Sequence, residues 1–379
     1  MRIFIDPGFV DRAVERGFDG ASPFALAHLP VPPSEKTAFL REGMYAWLRR
    51  NPLFDSVAEP DAADAVFMPF NLGKVRAERP DIEGHYRGLA EKAGRPLLID
   101  YFGDATDDVD GEGVLVLRTS KYRDRVRANE IICPPVIEDI GAQYGIEPLP
   151  KPDTPSIGFV GLADKRRAAG WVSRLIPYSR HDYALTALSW LGSQRGRERS
   201  GIYFRKRALQ AFEKDPNIAT DFLVRRFWGR GKRARNVIGA EQMRDDYIEN
   251  MRRNPYLLAV RGRGNFSLRF FEILSAGRIP VAIDTATPLP LEDTADYVRC
   301  CLFTDWRELG SAPARLSAFH RATSESEMQS MQIAARELFQ RYLRFDVFSR
   351  DLFDHLLPER LGARTEAPVH DVCEARGVE

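Results

Sequence analysis

Cysteine is scarce in this chain: four in 379 residues (Cys133, Cys300, Cys301 and Cys373), with no CxxC pair or other metal-ligand spacing. So few in so long a chain excludes a disulfide framework and fits a reducing compartment. The adjacent Cys300 and Cys301 are expected on different sides of one element. Charge of one sign is also lacking. Lys plus Arg number 55 against 54 Asp plus Glu, a net charge of +1, which argues against a general nucleic-acid binder. No run approaches the ~20 apolar residues that span a bilayer. The opening MRIFIDPGF reads as a first strand rather than a signal peptide. A cytoplasmic protein is expected, with room for peripheral docking at the inner face of a membrane. Internal repeats and low-complexity segments are absent. No GxGxxG follows the first strand, where the turn is Asp6-Pro7-Gly8-Phe9, and this disfavours an enzyme of a phosphorylated dinucleotide cofactor.

What is present is alternation. Short apolar runs at Arg2 to Ile5, Ala65 to Met68, Leu97 to Phe102, Val114 to Leu117 and Ile131 to Cys133 read as buried parallel strands. Helical patterns at Ser34 to Arg50 and Ile82 to Ala93 lie between them. The segment GIEPLPKPDTP, residues 145–155, holds four prolines and reads as a linker. Alternation then restarts: strand Ser156 to Val160, helix Gly201 to Phe212, strand Ile218 to Val224, helix Glu241 to Arg252, strand Tyr256 to Val260. The fold class is therefore α/β, two Rossmann-like domains facing a cleft. The expected units are residues 1–150, residues 151–330, closing helices over 331–360 that pack back on the first domain, and a loose tail over 361–379.

The most informative stretch is RGRGNFSLRFFEILSAGRIPV, residues 261–281. An apolar strand enters a turn of Arg261, Gly262, Arg263 and Gly264. Ser267 is placed to cap a helix that Gly277 stops, and a second strand, Ile279 to Ile283, follows. Amide groups and the helix dipole converge where strand meets helix, which favours an anion. Arg261, Arg263 and Arg269 add donors suited to phosphate. Glu272, three residues after Arg269, shares its helix face and can accept hydrogen bonds from ribose hydroxyls. An Arg/Glu pair at this spacing is also a common surface salt bridge, and the residues alone leave both readings open.

From Tyr247 to Tyr297 the chain resembles the signature region of exostosin-family glycosyltransferases, with their pattern RGxxxxSxRFxEaLxaGCIPVi followed by LPFeD. Arg261-Gly262, Ser267, Arg269-Phe270, Glu272, Leu274, Gly277, Ile279-Pro280-Val281 and Leu289-Pro290-Leu291-Glu292-Asp293 carry the match. Arg278 stands where the family commonly has Cys. The resemblance implies a GT-B architecture, inverting transfer and a nucleotide-sugar donor, most often UDP-linked. It also implies a glycan or lipid-linked glycan acceptor, and partner glycosyltransferases with which such chains work in pairs. Eukaryotic members carry a membrane anchor not seen here, so an enzyme of surface polysaccharide synthesis is expected. A catalytically idle nucleotide- or glycan-binding scaffold is the alternative.

Lys165, after the strand ending in Gly161, and Arg205, in YFRKRAL, match basic positions that face the donor phosphates in relatives. The basic runs at residues 195–207 and 225–235 read as solvated faces or as contacts for an anionic acceptor. An inverting transfer needs a base, which GT-B enzymes take from the N-terminal domain. Asp104 is the first candidate, then Asp100 and Asp6; the family's His-Asp pair is missing from LLIDYFGDATDD. Asp108-Val109-Asp110 matches the letters of DxD but lies in a polar turn of the wrong domain, so no metal is expected. Arginines and the helix dipole would hold the leaving diphosphate.

Overall fold

The computed structural model describes residues 1–30, 42–163, 194–225 and 240–362. Two wholly parallel sheets organise them. The first comprises β1 (Arg2–Phe4), β2 (Asp55–Ser56), β3 (Ala65–Asn71), β4 (Leu97–Tyr101), β5 (Val114–Arg118) and β6 (Glu130–Ile132), in the order β2-β1-β3-β4-β5-β6. The second comprises β7 (Ser156–Leu162), β8 (Ala219–Arg225), β9 (Tyr256–Ala259), β10 (Ile279–Asp284) and β11 (Leu302–Asp305), in the order β11-β10-β9-β7-β8. Central strands such as β3, AVFMPFN, are buried on both faces, which is why they read as continuous apolar runs instead of alternating ones.

The two sheets obey one plan. In each, the first strand is flanked by the second on one side and the third on the other, β1 by β2 and β3, β7 by β8 and β9. The chain therefore winds outward in both directions, and a crevice opens at the carboxyl ends where the direction switches. Both halves are α/β and Rossmann-like, as the alternation predicts. The helix expected from Ser34 is seen over Glu42–Arg50, residues 31–41 lying outside those described.

The closing helices bind both halves. Helix Glu325–Leu338 contributes Ala334, Ala335 and Leu338 to a core shared with β9 and β10. Helix Phe345–Asp351 and the turn after it send Phe345, Phe348, Leu352, Phe353 and Leu357 into the core of the first sheet. There Phe24 stacks on Phe345 at 5.2 Å. Ile137, Ile140 and Ile146 already pack in the second core, ahead of the Pro-rich segment. Arg278, in the family's Cys position, is buried and donates to Met251 O (2.7 Å) and Gln332 Oε1 (3.2 Å), tying β10 to the closing helix. Cys300 and Cys301 do not point apart: they sit in the turn before β11, both buried, with sulfurs 3.7 Å from each other.

Candidate active site

The Arg-rich segment forms the expected β-loop-α-β unit: β9, a turn, the helix Leu268–Ser275 and β10. Gly277 ends the helix at φ 63°, where a Cβ would also meet Arg336 Cγ at 2.7 Å. Ser267 occupies the N-cap position, but its hydroxyl donates back to Val260 O at 3.3 Å and caps nothing.

Three guanidinium groups gather at the carboxyl ends of β7 and β9, the switch point of the second sheet. Arg205, on helix Gly201–Glu213, donates to Leu162 O (3.1 Å) and Val260 O (3.4 Å). Arg269 donates to Val160 O, and its guanidinium lies 4.5 Å from the Phe159 ring centroid. Arg261 is buried and donates to the carbonyls of Arg197 (3.1 Å) and Arg199. Burial first, then the Arg269 and Arg261 charges, push the Arg205 guanidinium down to about 10, and only Tyr247 opposes the shift. Among the described residues, Arg205 is thus held among like charges and carbonyl oxygens. Glu272, one turn along the helix, accepts a hydrogen bond from the Tyr247 hydroxyl.

The turn itself is spent on structure. Gly262 N donates to Phe266 O (3.0 Å), Gly264 N to Asp104 Oδ1 (2.8 Å) and Asn265 N to Ser120 Oγ (2.8 Å). The expectation of several free amides in this turn is thus corrected for Gly262 and Gly264, because the facing domain and the turn claim them. Arg263 is exposed at the tip. A Cβ on Gly264 would lie 2.6 Å from Asp104 Cα, and one on Gly201 only 2.0 Å from Gly262 O. Two loops and two domains therefore meet backbone to backbone at these glycines.

Asp104 is exposed, and its place is set from behind. Arg118, fully buried, pairs with Glu130 and donates to Ala105 O (2.8 Å), Asp107 O (3.0 Å) and Ser120 O (2.8 Å). Asp100, next to last in β4, has no exposed surface and accepts from Phe102 N (2.7 Å); burial raises its carboxyl to about 6. Asp6, just beyond β1, caps helix Pro7–Glu15 through Phe9 N (3.0 Å) and meets His85 Nε2 at 2.8 Å. His85 stacks on Phe9 at 4.0 Å. The structure thus brings Asp104 to the Gly264 turn, keeps Asp100 buried within β4, the strand before it, and leaves Asp6 at the start of the helix after β1. Lys165 lies outside the described residues, as does most of the second basic run. Within the first run Arg197 and Arg199 are buried, not solvated, with Arg197 paired to Asp124 at 2.8 Å.

Sequence reasoning missed three participants. Asn265 is fully buried and donates to Lys121 O (2.9 Å) and Ala286 O (3.1 Å) while accepting from Thr285 Oγ1 (2.6 Å), so it welds the turn to both neighbours. His85 stands 79 residues from Asp6. Tyr247 was visible only as part of the exostosin resemblance. Among the described residues no group of three or more His, Cys, Asp or Glu could hold a metal ion, and no helix is long and apolar enough to cross a membrane.

Comparison with known proteins finds similarity over part of the chain. The chain is 31% identical to Exostosin-1a of Danio rerio over 106 residues, 28% of this chain and 14% of that one. It is 37% identical to Exostosin-1 of Drosophila melanogaster over 73 residues, 19% and 10% of the two chains. The chain is exostosin-like over that segment, which spans a seventh or less of these relatives' own length. No protein-family model matches. Among solved structures TarM overlaps 68% of this chain and 50% of its own at 10% identity, with a TM-score of 0.35, a level that carries no fold assignment.

Proposed function

We propose that the chain is an inverting glycosyltransferase of GT-B type, which moves a sugar from a UDP-linked donor to a hydroxyl of a glycan or lipid-linked glycan in surface polysaccharide synthesis. The observation that carries this reading is the cluster of Arg205, Arg261 and Arg269 at a switch point, with the buried, still charged Arg205 held among like charges and backbone carbonyls and Glu272 beside it. A nucleoside diphosphate complements this cluster, since its phosphates accept charge-assisted hydrogen bonds from arginines and its ribose hydroxyls can donate to Glu272. Lys165 would join them. In the transfer the acceptor oxygen attacks the anomeric carbon and its proton passes to a carboxylate. The bond from that carbon to the diphosphate oxygen breaks, and the electron pair leaves with the diphosphate, which the arginines stabilise in place of a metal ion. Asp104, which touches the donor-side turn, is the preferred base, ahead of Asp100 and Asp6.

Calorimetric titration of UDP, GDP and CMP into the wild type and Glu272→Ala tests the reading. Selective UDP binding that weakens in the variant supports it, and no binding of any nucleotide overturns it. The scaffold alternative draws on one observation, the tie of the Asp104 carboxylate to Gly264 N. It predicts nucleotide binding without release of diphosphate from any nucleotide-sugar.

A further inference from the structure

The donor-site reading asks two neighbours to do opposite things at once. Arg269 must stay open to a phosphate, and Glu272 must stay open to hydroxyls. Yet a spacing of three residues on one helix face is where opposite charges ordinarily pair. In the structure each turns to another partner. Arg269 reaches Val160 O, and Glu272 Oε2 accepts from the Tyr247 hydroxyl.

Tyr247 comes from the helix Ala240–Arg253 and is 2% exposed. Its ring lies 5.2 Å from the Arg269 guanidinium carbon, with Phe159 at 4.5 Å. Gly161 leaves the room this arrangement requires, since a Cβ there would stand 3.0 and 3.1 Å from the guanidinium nitrogens. Burial pushes the Tyr247 phenol well above its usual range, Glu272 adds to that shift and Arg269 opposes it. The hydroxyl is therefore neutral and lies within the influence of both charges.

We infer that Tyr247 is a neutral spacer that keeps Arg269 from pairing with Glu272, leaving the guanidinium to a phosphate and the second carboxylate oxygen to ribose hydroxyls. The inference rests on the donor-site reading above. Its physical basis is the low polarisability of the site. In a partly dry pocket the attraction between a guanidinium and a carboxylate is several times stronger than in water. Two charges on one helix turn collapse onto each other unless something neutral occupies the space and offers the carboxylate a hydrogen bond. A collapsed pair has no net charge to offer a diphosphate. Tyr247 is thus a positioning residue and touches neither the phosphates nor the reacting carbon.

The test uses the full chain with UDP and inorganic pyrophosphate as probes, titrated calorimetrically into the wild type, Tyr247→Phe, Glu272→Gln and the double variant. Pyrophosphate has no ribose, so it reports on the arginines alone. Tyr247→Phe keeps the ring and its packing, and is expected to weaken pyrophosphate about tenfold or more, the size of one lost charge-assisted contact. Adding Glu272→Gln to Tyr247→Phe is expected to restore pyrophosphate to within about threefold of wild type, because a neutral amide cannot sequester the guanidinium. UDP stays weak in that double variant. Unchanged pyrophosphate binding in Tyr247→Phe overturns the inference, and so does a double variant no tighter than Tyr247→Phe. A wild type that binds neither probe removes the donor reading itself, a result distinct from either of these.

Discussion

The two switch points are built on one topology and carry opposite charge. At the first, the end of β1 presents a carboxylate, Asp6, already satisfied by a helix start and by His85. At the second, arginines from two helices reach the ends of β7 and β9, where their acceptors are neutral carbonyls. The same crevice geometry thus serves unlike chemistry, because the side chains brought to equivalent strand ends differ in sign. The proposed donor site holds its positive charge against neutral carbonyls, as reception of a diphosphate would require. A site whose charges are paired has no such demand.

The sharpest way to break this comparison is to fill the two glycines that start the helices after the first strands. Gly201→Ala drives a methyl group to within 2.0 Å of Gly262 O and 2.5 Å of Arg261 O. It should cost about 3 kcal/mol or more in urea denaturation, since backbone on both sides has to move. Gly8→Ala meets only Arg12 Nη1 at 3.5 Å and Asp6 Oδ1 at 3.7 Å, and should be neutral or slightly stabilising. Equal effects of the two would refute the claim that only the second switch point is closed backbone to backbone.

Next in size is Arg205→Met. It should lower UDP affinity by about a hundredfold, and should also raise the unliganded stability by about 1 kcal/mol, because it removes a cation crowded by Arg269 and Arg261. Calorimetry and thermal denaturation read the two effects separately. A loss of both binding and stability would mean that the arginine holds the fold together rather than waiting for an anion.

Asp100 sharpens the comparison from the first sheet. Its carboxyl is held at about 6 against an ordinary 3.8, so the native state binds that proton more tightly than the unfolded chain. Stability should therefore be fullest at acidic pH, fall between about 4 and 6, and lose nothing more above that range on this residue's account. Asp100→Asn should recover about 2 kcal/mol at pH 7 and almost nothing near pH 3.5, as denaturant titrations at both values would show. A gain of the same size at both pH values would refute the buried-charge account.

The smallest expected effect is at Ser267. An N-cap serine usually contributes about 1 kcal/mol. Here the hydroxyl donates to Val260 O instead, so Ser267→Ala should cost less than about 0.5 kcal/mol. A full capping loss would show that the hydroxyl returns to the helix amides in solution.

The order of strands and helices could be read from apolar runs and their Gly, Pro and Asp boundaries, because burial on both faces and chain reversal leave local marks. The short strands β2 and β11 left too little pattern to be seen. The unit from β9 to β10, with Arg269 and Glu272 on one helix face, was likewise legible, since three-residue spacing and helix signals lie within a few residues of each other. Other features depend on contacts between distant parts of the chain. That Asp104 meets Gly264, that Tyr247 reaches Glu272, and that Arg118 pairs with Glu130 while bracing the Asp104 loop all join residues on different elements. Periodicity reports only which face of an element is buried, not what it is buried against. The sequence by itself determined the α/β plan and the residue types of the proposed donor site. Tertiary structure decided which partners those residues meet, because a side chain's charge is local but its partner is set by packing.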